Sequence, residues 1–177
     1  RSNRGGDYKA GTNATLTSPP IDLRGVSDPQ LTLWHWYEVF GSDTPNSFDD
    51  AAWLEVQAQG ENPIRVEPEG GYTDLSDGES DSPLAEGTPV YAGHSVDWER
   101  ASFDLRPFAG KIIRLRFRLW NDLLEVLSNG ATGAGWYLDE VEVSGRRFCH
   151  PAPSLSPGSL GTVMQGESLL NLGVQGT

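Results

Sequence analysis

The sequence predicts an all-β fold in which short strands form a sandwich or a barrel. Two observations favour this fold class. No long stretch of the 177 residues has helical periodicity. Apolar segments of strand length alternate with turn-forming residues, and the chain contains 21 Gly and 12 Pro. Six Trp, six Phe and five Tyr supply the large buried areas that a core needs, which argues against disorder throughout.

Six segments have the length and the apolar content of strands. In chain order they are residues 14–23, 30–40, 51–59, 96–105, 111–120 and 135–145. The second, QLTLWHWYEVF, is apolar on both faces, which is typical of a central strand. We therefore expect Trp34 and Trp36, and also Trp136 of the last segment, to lie in the core.

The third segment, AAWLEVQAQ, alternates between an apolar and a polar face. Leu54 and Val56 share one face, whereas Trp53 lies on the other among polar side chains. An exposed aromatic ring there could stack on a sugar. Trp120, at the end of a later strand, is the other ring expected to be exposed. Trp53 and Trp120 are therefore the candidate ligand-binding residues.

The fifth segment, KIIRLRFRLW, has the most regular alternation in the chain. Its apolar residues are expected to face inward: Ile113, Leu115, Phe117 and Leu119. Its opposite face carries Arg114, Arg116 and Arg118. Because like charges two residues apart repel one another, this ladder needs acidic partners on neighbouring strands. The candidates are Glu55, Glu140 and Glu142.

The last strand, GWYLDEVEVSG, contains three carboxylates. Uninterrupted alternation puts Asp139 on the inward face with Tyr137 and Val141, and Glu140 and Glu142 on the other. A buried, unpaired carboxylate carries a large desolvation cost. Backbone donors or a metal ion would relieve that cost for Asp139, and a metal fits the nearby acidity better.

Two regions depart from the strand pattern. Residues 61–93 form an irregular, acidic insertion, and its DLSDGESD stretch is expected to be a solvated, flexible loop. Residues 149–177 are rich in Pro, Ser and Gly and then offer one strand-like run, SLLNLGVQGT. We expect a sandwich module at 1–148, followed by a linker and the first strand of a truncated domain. This tail is expected to be mobile, or to pair with a sheet edge or another chain.

Composition excludes several function classes. The net charge of −12 disfavours nucleic acids and anionic membrane surfaces, and no apolar run approaches a membrane span. Cys149 is the only cysteine, so an internal disulfide is excluded. The three His lack the spacing of a zinc peptidase motif, and GHSVD fails as a serine-hydrolase elbow. The sequence therefore indicates a protein that is not an enzyme.

Three blocks resemble a known family. TLTSPPIDLRG, then LTLWHWYEVF with FDDAAWLEV, then FDLRPFAGKIIRLRFRLWND with GWYLDEVEV are similar, in this order, to MAM-like jelly-roll modules of secreted bacterial proteins. The nearest likeness is to modules that follow the catalytic domain in immune-inhibitor-A-type metallopeptidases. The resemblance covers residues 14–145. It implies a two-sheet antiparallel, galactose-binding-like sandwich, export from the cell and an accessory role. The tail resembles the opening of immunoglobulin-like IPT/TIG domains.

The resemblance also implies a cation between the last strand and the glycine-rich N-terminal loop. The matching residues are Asp7, Asn13, Asp139 and Glu140. Calcium prefers such oxygen ligands, and the scarcity of His and Cys argues against zinc. If strands alternate in direction, loops 41–50 and 121–134 meet at one end, which predicts a second acidic cluster. Its members are Asp49, Asp50 and Asp122.

These observations predict a calcium-stabilised binding, adhesion or spacer module of a secreted or cell-surface bacterial protein. Its partner would be a protein or a glycan, without nucleic acid and without membrane insertion. One alternative is a carbohydrate-binding module, which an exposed Trp pair beside a groove would favour. Another is an accessory domain that helps a secreted metallopeptidase to bind its substrate.

Overall fold

The computed structural model describes residues 7–39, 50–76, 78, 82–121 and 133–148, and the backbone of 167–173. Twelve strands and one short 3-10 turn, Arg106–Phe108, make up the described chain. The strands are β1 (Asn13–Thr17), β2 (Ile21–Asp22), β3 (Val26–Val39), β4 (Ala51–Ala58), β5 (Ile64–Val66), β6 (Asp74–Leu75), β7 (Pro89–Val90), β8 (Gly93–His94), β9 (Glu99–Asp104), β10 (Ile112–Trp120), β11 (Gly135–Phe148) and β12 (Glu167–Gly173). The prediction of an all-β fold is confirmed.

The strands form two five-stranded sheets in which every pairing is antiparallel. Sheet A has the order β1-β10-β4-β5, and β2 also pairs with β10. Sheet B has the order β12-β11-β3-β8, and β9 also pairs with β3. β6 and β7 form a separate hairpin-like pair. Sequence neighbours are thus often placed in different sheets.

One buried apolar cluster is built from the inward side chains of both sheets. Sheet B contributes Leu31, Leu33, Phe103 and Val143, and sheet A contributes Leu54, Val56, Leu115 and Phe117. The inward residues of β10 are those that the sequence alternation predicts. Burial of this many large apolar side chains, each contributing about 1.5–3 kcal/mol, is what holds the two sheets against one another.

The described part of residues 61–93 is an ordered part of the fold and contains β5 to β8. We call these residues the covering segment. Tyr91 exchanges two backbone hydrogen bonds of 2.9 Å with Ala52, at the end of β4 where β5 has stopped. Glu69 N donates to Ser102 O at 2.7 Å, beside β9. The segment therefore runs from the edge of sheet A to the edge of sheet B.

The expectation of a solvated, flexible loop concerned the DLSDGESD stretch. It is wrong for the described residues Asp74, Leu75 and Ser76, because Asp74–Leu75 form β6, which pairs with β7, and Ser76 is buried. Pro68, Ser76, Val90, Tyr91 and Ala92 are buried. The prediction failed because acidic turns separate the short apolar runs of this segment. They lower its average hydropathy, but its buried apolar residues still hold it against the sheets. Asp77, Glu79 and Asp81 of the DLSDGESD stretch lie outside the described residues.

The tail contributes β12, which lies on the edge of sheet B. It pairs with the second half of β11, from Glu142 opposite Gly173 to Phe148 opposite Glu167. This placement covers an edge that would otherwise expose unpaired backbone groups. Cys149 and the expected linker lie outside the described residues.

Candidate functional site

Exposed aromatic rings gather on the outer face of sheet B. Trp34 is 40% exposed, Tyr137 is 37% exposed, and Trp36 is half-buried between them. The rings of Trp36 and Tyr137, whose backbones pair directly across β3 and β11, meet edge to face at 5.5 Å. Trp98, which is 43% exposed, immediately precedes β9 on the other side of β3. We call Trp34, Trp36, Trp98 and Tyr137 the aromatic face.

Alternation along β3 turns these rings outward. The odd-numbered residues from Leu31 to Val39 are all buried, so the even-numbered Trp34 and Trp36 point away from the core. The expectation that these two residues are core residues is wrong: Trp34 is 40% exposed, and Trp36, although half-buried, also points away from the core. Trp136 is packed against the core, as predicted. A continuous run of apolar residues hid the true period of two.

A β-bulge in β11 shapes the rim of this face. Asp139 pairs with Trp34 and Glu142 pairs with Thr32, so Glu140 and Val141 together oppose the single residue Leu33. Glu140 takes the left-handed conformation, with φ of 46°, which is uncommon for a non-glycine residue. Such backbone conformations persist where the surrounding structure imposes them, often at functional sites.

The bulge also corrects the expected position of Asp139. One extra residue shifts the side-chain period, so Trp136 and Leu138 pack on the core before it and Val141 and Val143 do so after it. Asp139 therefore lies outward and exposed, and its Oδ1 accepts a hydrogen bond from Glu140 N at 2.8 Å. The prediction of a buried Asp139 assumed that the alternation was uninterrupted, and it is wrong.

A shallow cavity adjoins Trp34 at the bulge. It has a volume of about 230 Å³ and is lined by Thr32, Leu33, Trp34, Arg100, Glu140 and Glu142. Arg100 pairs with Trp34 across β9 and β3, and both residues line the same cavity. A flat ring, a cation and two carboxylates thus border one concavity. This combination provides both stacking and hydrogen bonding to a small polar ligand.

The outer face of sheet A is different because the covering segment lies on it. Trp53 is 2% exposed and Trp120 is 6% exposed, and both belong to a second apolar cluster with Ala51, Val90 and Ala92. Tyr72 and Leu84 of the covering segment pack against this cluster. The expectation that Trp53 and Trp120 are exposed platforms is therefore wrong. Alternation placed Trp53 on the correct face but could not show what covers it.

The arginine ladder also lies on this face of sheet A. Arg116 Nε and Arg118 Nη1 each lie 3.7 Å from Glu55 Oε2, so the predicted pairing with Glu55 is confirmed. Arg118 also stacks over the Trp53 ring at 5.3 Å. Arg114 donates to Ser18 O at 2.9 Å. Glu140 and Glu142 instead lie in sheet B, beside Arg100.

A groove of about 440 Å³ lies at the far end of sheet A. It is lined by Pro20, Gln57, Ala58, Gln59, Gly60, Ile112, Ile113 and Arg114. Although it is larger than the cavity at Trp34, no aromatic ring is among these residues. It offers fewer features with which to recognise a ligand than the aromatic face does.

Asp50 lies at a junction of the N-terminal loop with β4 and β10. It is fully buried, and its two carboxylate oxygens accept hydrogen bonds from the Tyr8 hydroxyl and, at 2.8 Å, from Asn121 Nδ2. Asn121 Oδ1 accepts in turn from Thr12 N at 3.3 Å. Asp50 and Asn121, which stand at the edges of the loops 41–50 and 121–134, are thus in contact, and most of both loops lies outside the described residues. Asp49 and Asp122 lie outside the described residues.

The four residues of the first predicted cation site occupy separate places. Asp7 is exposed beside Tyr8, whose N donates to Gly133 O at 3.1 Å. Asn13 Oδ1 accepts from Arg118 Nη2 at 2.8 Å. Asp139 and Glu140 are at the bulge in sheet B. Within the described ranges, no three His, Cys, Asp or Glu side chains form a group that could hold a metal ion.

The interior behind the aromatic face contains a buried histidine that the sequence did not single out. His35 is 2% exposed, and burial lowers its pKa from 6.5 to about 4. Its Nδ1 accepts a hydrogen bond from Trp136 Nε1 at 3.2 Å. The Tyr91 ring of the covering segment lies 4.7 Å from the imidazole. This neutral histidine is a buried core residue.

His94 and Ser95, neighbours in the GHSVD stretch, differ in their environments. Ser95 is buried, and its Oγ accepts a hydrogen bond from Tyr37 N at 3.0 Å, whereas His94 is exposed.

Among the described residues there is no helix with the length and apolar content to cross a bilayer. A scan against protein-family models finds no match to this chain, and a search of curated proteins finds none either.

Proposed function

We propose that this chain is a non-catalytic binding module of a secreted or cell-surface protein, and that its ligand contacts the aromatic face. In this proposal the two sheets are the layers of a jelly-roll sandwich, and the module serves in binding or adhesion for a larger protein. The observation that carries the proposal is the gathering of Trp34, Trp36 and Tyr137 on one sheet face, with the exposed Trp98 directly before the neighbouring strand β9. Exposed apolar surface of this kind marks interaction sites in soluble proteins.

Aromatic side chains are also the residues on which binding energy concentrates. Trp and Tyr bury large areas, lose few rotamers and dominate the anchor positions of interfaces. The bulge at Glu140 and the cavity beside Trp34 add shape to an otherwise flat surface. The same chain buries its other Trp residues, Trp53, Trp120 and Trp136, against apolar neighbours. The exposure of Trp34, Trp36 and Trp98 is therefore a property of this part of the molecule, since the chain does have a core that holds its other Trp residues.

The test compares two double variants on a panel of immobilised extracellular polysaccharides and matrix proteins. Trp34→Ala/Tyr137→Ala removes two rings of the aromatic face, and Leu16→Ala/Ile64→Ala removes two exposed apolar side chains of sheet A. We expect the first variant to lose at least about tenfold in affinity for any material that the native chain binds. The second should bind as the native chain does. Equal binding by both variants would refute this site.

Calcium remains part of the proposal as a stabilising ion, at the end of the molecule that contains Asp50. Asp50 is the buried carboxylate there, and the sequence supplies Asp49 and Asp122 as further candidate ligands, both outside the described residues. Bound calcium would supply positive charge to this acidic junction and tie together the loops that meet there. The described residues already give both oxygens of Asp50 a hydrogen-bond donor. Elemental analysis after dialysis, together with melting in EGTA, tests this part independently of ligand binding.

A further inference from the structure

The aromatic face combines rings with polar groups, without aliphatic side chains. The outward residues paired across β11, β3 and β9 include Tyr137, Asp139, Glu142, Ser144, Gln30, Thr32, Trp34, Trp36, Glu38, Arg100, Ser102 and Asp104. None of these is aliphatic. Protein interfaces, by contrast, are depleted of charged residues at their centre. Here Asp139 and Arg100 flank Trp34 in one row across the sheet, so charge reaches the middle of the face.

The charges on this face indicate what it would repel. Asp139, Glu140 and Glu142 lie on one side of Trp34, and the guanidinium-bearing Arg100 lies on the other side, at the cavity. The chain as a whole carries a net charge of −12. Both features oppose the approach of a polyanion such as a nucleic acid or an acidic glycan. A neutral ligand with many hydroxyl groups meets no such barrier.

The cavity beside Trp34 sets the size of the group that it can hold. Pockets for drug-sized ligands usually have volumes of about 300–1,000 Å³. A volume of about 230 Å³ is smaller than this range and suits one six-membered ring with its substituents. The ring face would lie on the Trp34 indole, whose negative π-surface attracts the weakly positive C–H groups of a sugar.

The polar border of the cavity fits the hydroxyl groups of such a ring. Glu140 and Glu142 accept hydrogen bonds, Arg100 donates them, and Thr32 does both. Charge-assisted hydrogen bonds of this kind are stronger than neutral ones. The left-handed backbone at Glu140, imposed by the bulge, brings this residue to the cavity border. Bulges elsewhere in proteins re-aim side chains next to binding sites in this way.

We propose that the aromatic face binds a neutral polysaccharide, with one sugar unit in the cavity at Trp34 and the neighbouring units along Trp36 and Tyr137. This inference rests on the proposed binding function and names its ligand class. The direct pairing of Trp36 with Tyr137, and of Trp34 with Asp139, gives the chain of sugars a path along β3 and β11.

Affinity electrophoresis in gels that contain a soluble neutral polysaccharide tests this inference. The probes are glucan, mannan, xylan and glycol chitin, with heparin and alginate as polyanions. We expect retardation by at least one neutral polysaccharide, and an apparent Kd at least about tenfold weaker for Trp34→Ala. Arg100→Ala should also weaken binding. Leu16→Ala, in a strand of the other sheet, and Arg24→Ala, in the turn after β2, alter exposed residues away from this face and should not change binding.

The outcomes separate the ligand class from the binding function. No retardation by any neutral polysaccharide would overturn the ligand class. Retardation by heparin or alginate alone, abolished by Trp34→Ala, would do the same and leave the binding face in place. Retardation by a neutral polysaccharide that is equal in Trp34→Ala and Leu16→Ala would overturn both proposals. Unchanged melting of the variants shows that each result concerns a folded chain.

Discussion

Each of the two sheets has a Trp on the outer face of a central strand, but one of these rings is buried and the other is exposed. On sheet A, Trp53 points away from the core and is 2% exposed, because the covering segment lies over it. On sheet B, Trp34 points away from the core and is 40% exposed. Both residues lie in central strands, and both have polar or charged neighbours across the sheet. The two Trp residues differ in exposure because the covering segment packs on sheet A, and the strands that carry them do not explain the difference.

This comparison shows why one face is structural and the other is available for binding. The Trp53 ring is held by Arg118 above it and by a hydrogen bond of 3.0 Å from its Nε1 to Glu55 Oε1. Trp34 has an open concavity beside it. A ring that already has partners contributes to stability, whereas a ring that lacks cover is free to contribute to binding.

The largest expected effect is that of removing the covered ring. Trp53→Ala should lower the free energy of unfolding by about 3–5 kcal/mol, because it leaves a cavity between sheet A and the covering segment. Trp34→Ala should lower it by less than about 1 kcal/mol, because that ring is half-exposed. Urea titration of both variants measures the difference. Equal losses would mean that the two faces are not differently covered.

A second, smaller effect concerns the interior between the two faces. The folded pKa of His35 is about 4, below its unfolded value of 6.5, so the unfolded chain binds the proton first as pH falls. The stabilisation from this neutral histidine is therefore complete above pH 6.5 and is lost on going down to about pH 4. The loss is about 3 kcal/mol at most.

Thermal or urea unfolding between pH 7 and pH 4 measures this effect. The His35→Gln variant should lack this part of the pH dependence, and His94→Gln, which alters the exposed histidine, should keep it. If His35→Gln and the native chain lose stability in parallel, His35 is not the titrating group. Such a result would also argue against the tight packing of Tyr91 on the imidazole.

The third effect sharpens the contrast between covered and exposed charges. Glu55, with 15% of its side chain exposed, faces two guanidinium groups, so Glu55→Gln should cost about 1–3 kcal/mol. Glu61 pairs with Lys111 at 2.8 Å, but their side chains are 47% and 40% exposed. Glu61→Gln should therefore cost only about 0–1 kcal/mol. Chemical denaturation at low and high salt distinguishes the two, since only the exposed pair is strongly screened.

Local patterns predicted the part of the fold that depends on uninterrupted alternation. The inward set of β10 and the pairing of Arg116 and Arg118 with Glu55 follow from a period of two. The segment around Trp34 has large apolar residues on both faces and carried no such signal. The extra residue at Glu140 reversed the period in β11, and no glycine or proline stands there to indicate it. A non-glycine bulge is imposed by the neighbouring strand rather than by the residue itself.

The binding face was missed for a different reason. Whether an outward Trp is covered depends on contacts between distant segments, here between β4 and residues 72–92. The acidic composition of the covering segment concealed Tyr72, Val90 and Ala92, which anchor it. The position of Asp50 at this end of the molecule could be predicted because strand direction fixes where the loops lie. Its hydrogen bonds with Asn121 and the Tyr8 hydroxyl could not be predicted, because they depend on side-chain packing.

Oxidative footprinting of the six tryptophans, read by mass spectrometry, tests the difference between the two faces most directly. Every ring is measured in the same folded sample, so each serves as a control for the others. The account predicts fast oxidation of Trp34 and Trp98, intermediate rates for Trp36 and Trp136, and protection of Trp53 and Trp120. Oxidation of Trp53 as fast as that of Trp34 would contradict it, because the covering segment would then not shield sheet A.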